Sequence, residues 1–420
     1  MSQTPRALGY RWPAEWEPHA ATWLAWPHNR DSWPGKFEPV PEQFAEFVRT
    51  LARFEPVHIL AGGAKVMAET KSLLLPLPVG EGWGEGISAA EASSSPKKNL
   101  NPHPNPLPLG EGTRQLPLPV GEGRGEGLVP SKGSSSFPNP VDPHPNPFPQ
   151  GEGTRYPITV HDIPTNDAWC RDHGPIFLVD GKEPALVDWE YNAWGGKYPP
   201  FDFDNAVPQR IAAIQKRRVF SPGIVLEGGA IENNGRGVLL TTERCLLNPN
   251  RNAGLSRDKI EGYLRDYLSV EKILWLAHGD IPGDDTDGHI DQLARFVNPT
   301  TIVAAVATDD TDVCFDELQA MWEELTKLTD VEGEPFTIVP LPIPSPKFVG
   351  EQRLPCSYCN FLIVNGGVIV PQFNDPADAV ALQTLQRLMP DREVVGSPSL
   401  DLIWGLGSFH CMSQQEPQLT

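Results

Sequence analysis

Residues 256–276 read SRDKIEGYLRDYLSVEKILWL. Ile260, Tyr263, Leu264 and Tyr267 recur at the spacing of one helix face, and the KILWL that follows is an apolar run of strand length. A helix leading into a short buried strand is the basic unit of an α/β fold. The same order appears four more times. Helical spacing recurs at 41–54 (Phe44, Phe47, Val48, Leu51), 207–217 (Ile211, Ile214), 315–328 (Leu318, Met321, Trp322, Leu325) and 376–389 (Leu382, Leu385, Leu388). Apolar runs follow each: PVHIL, RVF into GIVL, FTIVPL and REVVG. The segment FLIVNGGVIVPQF at 361–373 reads as a hairpin with a tight Asn-Gly turn, and a strand follows His289-Ile290-Asp291. Five helix-then-strand units with added antiparallel pairs predict a pseudo-symmetric ring, with loops from several units meeting at one mouth.

Between the first unit and the rest lies sequence of another kind. LPLPVGEGWGEG at 75–86 returns as LPLPVGEGRGEG at 116–127, and PHPNPLPLGEGTR at 102–114 returns as PHPNPFPQGEGTR at 143–155, both with a period of 41 residues. A solenoid repeat needs a helical or strand pattern that buries a face against its neighbour, and these units have none. Prolines alternate along PHPNP, and so Pro-, Gly- and Ser-rich a composition cannot offset its ordering entropy. The expectation is a disordered insertion at 74–154, with 1–73 and 155–420 forming one discontinuous domain. Loop closure costs little more for a long loop than for a short one, so the host still folds.

The 420 residues suffice for one large or two ordinary domains, and 39% apolar content suits a globular core. Acidic residues outnumber basic ones, 54 to 34, and no basic run tracks a phosphate backbone, which argues against nucleic-acid binding. No stretch reads as a secretory leader or a membrane span, and six scattered cysteines suit a reducing compartment, so a cytoplasmic location is expected.

Three segments concentrate reactive groups. In TNDAWCRDHGP, Asp167, Trp169, Arg171 and Asp172 crowd before a Gly-Pro turn, although Asp172 alone also reads as a simple turn acceptor. In GDDTDGHIDQLARFV, His289 and Asp291 stand two apart, which on a strand places imidazole and carboxylate on one face, suited to proton transfer. A calcium loop fails there, because with Gly288 sixth the end positions are Gly283 and Ala294. In WGLGSFHCMSQQEP, Cys411 sits among glycines and polar residues, unlike Cys245 and Cys314, which read as core filling. Cys356 and Cys359 form a CxxC with no second ligand pair for zinc.

Together with PAEWEPHAATWLAWP at 13–27 and VLEGGAIENNGRGVLLTT at 225–242, these segments resemble the agmatine deiminases and related bacterial peptidylarginine deiminases, along the whole chain except the insertion. The resemblance implies the pentein fold, a five-bladed pseudo-symmetric α/β propeller with a central site. It makes Cys411 the nucleophile, His289 the general acid and base, Asp172 and Asp291 the carboxylates that grip a guanidinium, Glu227 the acid beside the histidine, and Trp169 a pocket wall. It implies a small cationic guanidine substrate, agmatine, no cofactor, and a homodimer.

The implied reaction is attack by sulfur on the guanidinium carbon, loss of ammonia, and hydrolysis of a covalent thiouronium. A free thiol has a pKa of about 8.5, so either a protonated His289 or the bound cation must favour the thiolate. Family members specific for agmatine carry a glycine run followed by Asn and Ile before His-Cys, where this chain has GLGSF. The substrate's tail therefore stays open between agmatine, a peptidyl arginine and another guanidine. A non-catalytic binding protein on the same fold predicts loss of the Cys, His or Asp residues, and all are present.

Overall fold

A computed structural model describes residues 3–74 and 155–419; the repeat-bearing segment lies outside the described residues. The chain starts partway through one unit. β1 (His19–Ala25) leads through the helix Val40–Leu51 to β2 (Val57–Leu60), which pairs parallel to β1; the helix Ala64–Leu74 then precedes β3 (Ile158–His161), parallel to β2. Three units of identical order follow. β4 (Ile176–Val179) and β5 (Pro184–Val187) are antiparallel, and the helix Val207–Gln215 crosses to β6 (Arg218–Phe220), parallel to β5. β7 (Ile231–Asn233), β8 (Val238–Thr242), the helix Arg257–Leu268 and β9 (Lys272–Leu276) repeat it, as do β10 (Ala294–Asn298), β11 (Thr301–Val306), the helix Phe315–Leu325 and β12 (Thr337–Pro342).

After a small hairpin, β13 (Phe348–Val349) with β14 (Gln352–Arg353), a fourth unit has β15 (Leu362–Val364), β16 (Gly367–Gln372), the helix Ala377–Leu388 and β17 (Glu393–Pro398). β18 (Ser413–Pro417) then pairs antiparallel with β1, so the fifth unit joins the end of the chain to its beginning.

Strands buried on both faces read as continuous apolar runs without alternation, and several strands here do so. Ile176–Val179 and Pro184–Val187 are buried at every position. The helix Val40–Leu51 buries Phe44, Phe47, Val48 and Leu51, the spacing seen in the sequence, each contributing about 1.5–3 kcal/mol on removal from water. The five expected helices are all present.

Several expectations are corrected. His289 and Asp291 are not on a strand. His289 is extended and caps a short 3-10 turn, Ile290–Gln292, that contains Asp291, because β10 begins only at Ala294. GIVL at 223–226 is not a strand but a connection, with Val225 bridging Glu190. Leu74, assigned to the insertion, closes the helix Ala64–Leu74, an element whose weak amphipathicity concealed it. Asp172 lies in a single helical turn, Cys170–His173.

Candidate active site

Each unit opens with a short turn just before its first strand, and these five turns touch in a closed ring. The turns are Cys170–His173, Gly228–Ala230, Ile290–Gln292, Tyr358–Asn360 and residues 409–412. Gly228 lies against the first turn, where a Cβ would stand 2.2 Å from the Arg171 carbonyl oxygen. Ser357 Oγ donates to the Gln292 carbonyl at 2.6 Å, linking the third turn to the fourth. His410 N donates to the Asn360 carbonyl at 3.2 Å, and Arg171 N donates to the Cys411 carbonyl at 3.1 Å, which closes the ring. Pseudo-symmetry thus brings together residues from positions 172 to 411.

The first turn contributes Asp172. Its Oδ1 accepts from Gly229 N and its Oδ2 from Trp194 Nε1, both at 3.0 Å. The second turn follows Glu227, whose Oε1 accepts from Arg251 Nε at 2.6 Å while Oε2 has no partner. The third carries His289, with Nδ1 3.6 Å from Asp172 Oδ1 and, among the described residues, no hydrogen bond at either ring nitrogen, and Asp291, whose Oδ1 is likewise unpartnered there. The fifth carries Cys411. Gly229 lies where these meet: an added Cβ would stand 2.6 Å from His289 Nδ1, 2.8 Å from Asp172 Oδ1 and 3.2 Å from Asp291 Oδ2.

Buried groups without partners are costly, and several at one spot mark a place built for a polar ligand. Burial, then Asp291 and Glu227, push the Asp172 carboxyl well up, and burial also raises Glu227 despite Arg251. Burial drives His289 down to about 3, so the imidazole is neutral. Burial opposes ionisation of Asp291, yet its hydrogen bond and charge interaction with His410 hold it below the usual range. Burial, then Asp291 and Asp172, raise the Cys411 thiol well above the ordinary value. Both charge interactions oppose an ionised thiol, so a cation brought between the carboxylates would ease its formation.

A pocket of about 830 Å³ opens above this cluster, with Trp169, Asp172, Trp194, Gly407 and Cys411 among its lining. Trp169 stacks on Trp33 with ring centroids 5.6 Å apart and approaches Gly407 so closely that a Cβ there would lie 2.3 Å from the indole. Of the expected site residues, Trp169, Asp172 and Cys411 line the pocket, and His289, Asp291 and Glu227 are fully buried beside them.

Sequence reading missed four participants. Asn360 Nδ2 donates to Cys411 Sγ at 3.0 Å and lies 3.3 Å from Asp291 Oδ2. His410 lies between Asp291 Oδ2, 2.7 Å from Nδ1, and Glu15 Oε2, 3.0 Å from Nε2, and Glu15 also pairs with the buried Arg295. Carboxylates only accept, so both ring nitrogens would have to carry protons to bond on both sides, whereas burial, Arg171 and Arg295 push the pKa of His410 down. Trp194 was missed too. An Asn in CSYCNF or a Trp in NAWGG has no local signature, whereas Glu15 and His410 lie in the motif segments PAEWEPHAATWLAWP and WGLGSFHCMSQQEP.

Among the described residues, two buried groups have metal-ligand composition. Glu15, Glu232 and His410 lie within 4.8 Å of one another, but Arg295 already pairs with both carboxylates. Glu227, Cys245 and His289 are equally close, and there Arg251 supplies the cation to Glu227. Cys245, read as core filling, is fully buried in the core yet borders this cluster. Cys356 and Cys359 are buried free thiols and join neither group.

The profile of the Porphyromonas-type peptidyl-arginine deiminases matches residues 11–94 and 141–417. The agmatine deiminase of Pseudomonas aeruginosa is 34% identical over 440 residues, covering 99% of this chain and 98% of its own. That of Pseudomonas syringae pv. tomato is 32% identical over 441 residues, with 99% and 98% covered. Among solved structures, the agmatine deiminase of Enterococcus faecalis matches with a TM-score of 0.77 at 29% identity, covering 100% of this chain and 99% of that one. The C. jejuni agmatine deiminase with substrate bound matches at 0.73 and 27%, covering 97% and 96%.

Proposed function

The chain belongs to the Porphyromonas-type peptidyl-arginine deiminase family and has the pentein fold of its agmatine deiminase relatives, and from that premise we propose that it hydrolyses agmatine to N-carbamoylputrescine and ammonia, a step toward putrescine and the polyamines. The observation that carries the reading is the convergence of Asp172, Asp291 and neutral His289 around Gly229, beside the sulfur of Cys411. A planar cation with several N–H donors fits such a floor. Each charge pair at about 4 Å contributes roughly 4 kcal/mol at an effective dielectric of about 20, before desolvation. The free Oδ1 of Asp291 and Oε2 of Glu227 are acceptors awaiting donors.

The same geometry favours one of the two routes to the thiolate. Burial drives His289 down to about 3, which disfavours an imidazolium as the source of positive charge and favours the bound guanidinium. With the cation between Asp172 and Asp291, the Cys411 proton passes to His289 and sulfur attacks the central carbon. The tetrahedral adduct collapses as His289 protonates the departing nitrogen, leaving ammonia and a thiouronium on Cys411. Water, giving its proton to His289, then attacks the same carbon, and the thiolate leaves as the ureido product forms. Glu227, locked by Arg251, backs the histidine, and Trp169 excludes water along one wall.

The domain is proposed to be discontinuous, with 75–154 as an insertion outside it; β2 and β3 pair across that segment. A cytoplasmic location and a homodimer belong to the same proposal; six free cysteines support a reducing compartment, and no helix among the described residues is long and apolar enough to cross a membrane.

The test is ammonia release from agmatine, arginine and a blocked arginine peptide, with Cys411→Ala as control. Release from agmatine alone, lost in the variant, is expected. Preference for the peptide replaces the substrate and keeps the chemistry, and silence with all three overturns the reading.

A further inference from the structure

The sulfur of Cys411 sits against two side-chain amides that the reaction as written leaves unused. Asn360 Nδ2 lies 3.0 Å from Sγ, and Gln292 Nε2 lies 3.8 Å from it. The amide of Asn360 can face only one way. Its Oδ1 accepts the backbone N–H of Cys411 at 3.2 Å, so its NH2 must face the sulfur and Asp291 Oδ2. Its backbone carbonyl accepts from His410 N, which fixes the residue to the loop that carries the nucleophile. Asn360 is fully buried.

We propose that Asn360 is a catalytic residue whose side-chain amide, with that of Gln292 beside it, forms a donor cradle that holds the sulfur of Cys411 and stabilises its negative charge in both halves of the reaction. A thiol is a weak acceptor and a thiolate a strong one, so the bond strengthens when the proton leaves and again when sulfur is expelled from the second adduct. The other groups around the sulfur give little help. Asp291 and Asp172 are acidic and oppose the thiolate, His289 is neutral, and His410 and Arg171, behind the loop, are engaged with Asp291 and Glu15 and with Gln415. A neutral donor stabilises the thiolate without repelling an incoming guanidinium, as a lysine there would.

The experiment follows alkylation of Cys411 by iodoacetamide in the full, substrate-free chain as a function of pH, reading the Cys411 peptide by mass. It needs no knowledge of which guanidine is turned over, so its failure is separable from failure of the functional proposal. Asn360→Asp keeps the acceptor for Cys411 N–H and exchanges the donor for a carboxylate. Gln292→Leu leaves the bonds of Asn360 intact and serves if the first variant does not fold. The expected result is an alkylation inflection moved to higher pH by at least one unit in Asn360→Asp and by less in Gln292→Leu. An inflection at the wild-type pH in the folded variants overturns the proposal.

Discussion

Trp194 donates its indole N–H to Oδ2 of Asp172 at 3.0 Å from a backbone held in the left-handed region, φ 54°. Ala193, Gly195 and Gly196 share positive φ, so four successive residues are bent to bring one indole over the pocket. Non-glycine residues in this region cost about 1–3 kcal/mol each, a strain that marks functional sites.

Trp194→Phe is therefore expected to keep the wall of the pocket and release Asp172. Loss of one hydrogen bond to a charged acceptor, about 1.5 kcal/mol, lowers kcat/KM by roughly tenfold. Steady-state kinetics check it, and a change within twofold would show that Asp172 is held by Gly229 N alone.

Gly229→Ala puts a methyl between His289 and Asp172, at separations of 2.6 and 2.8 Å that no real Cβ tolerates. The turn has ordinary φ there, so the chain folds while the floor is displaced; a loss of about 10²-fold or more in kcat/KM is expected with little change in Tm. Wild-type activity in the alanine variant would mean that the pocket floor is not where the guanidinium binds.

Arg251 pairs with the buried Glu227 and the partly exposed Asp287 and donates to the Thr286 carbonyl. Removing the cation leaves Glu227 buried and uncompensated. Arg251→Met is expected to cost about 3–5 kcal/mol in urea unfolding, and Arg251→Met with Glu227→Gln to recover part of it. Equal destabilisation in the single and double variants would contradict the pairing.

His289 has a folded pKa of about 3 against about 6.5 unfolded, so the unfolded chain binds one more proton between those values. Its burial as a neutral ring is fully tolerated above pH ~6.5 and increasingly penalised as pH falls below that, by about 1.4 kcal/mol per pH unit. Raised carboxyls such as Asp204, at about 7, slope the other way, so the wild-type curve alone is not diagnostic. The diagnostic is the difference: between pH 4 and 6, His289→Asn should lose stability less steeply on acidification than wild type. Parallel curves would refute it.

Replacing residues 75–154 with a flexible Gly/Ser linker of about ten residues should leave kcat/KM within about threefold, since such a linker acts as a coil and β2–β3 pairing is set by the strands. A large gain on replacement would instead show that the segment obstructs the site.

Much of this was legible in sequence because it is local. The five long helices follow from apolar spacing in segments such as 41–54 and 256–268, and the hairpin at 361–373 from its Asn-Gly turn. The helix Ala64–Leu74 escaped because its buried positions are only Thr70 and Leu74, a face with a single buried apolar side chain. His289 and Asp291 were placed together for the wrong reason: they meet through a 3-10 turn, not along a strand.

What the sequence determined by itself was the recurring unit, the foreign composition of 74–154, and the identities of Cys411, His289, Asp172, Asp291, Glu227 and Trp169 as candidates, because periodicity and motif are properties of neighbouring residues. Only the tertiary structure decided that the first and last strands complete one sheet, that five turns close a ring, and that Asn360, His410, Glu15 and Trp194 surround the sulfur and the carboxylates. Asn360 lies 51 positions from Cys411 and Trp194 lies 22 from Asp172. Contacts between residues so far apart depend on how the units pack, and no local pattern encodes them.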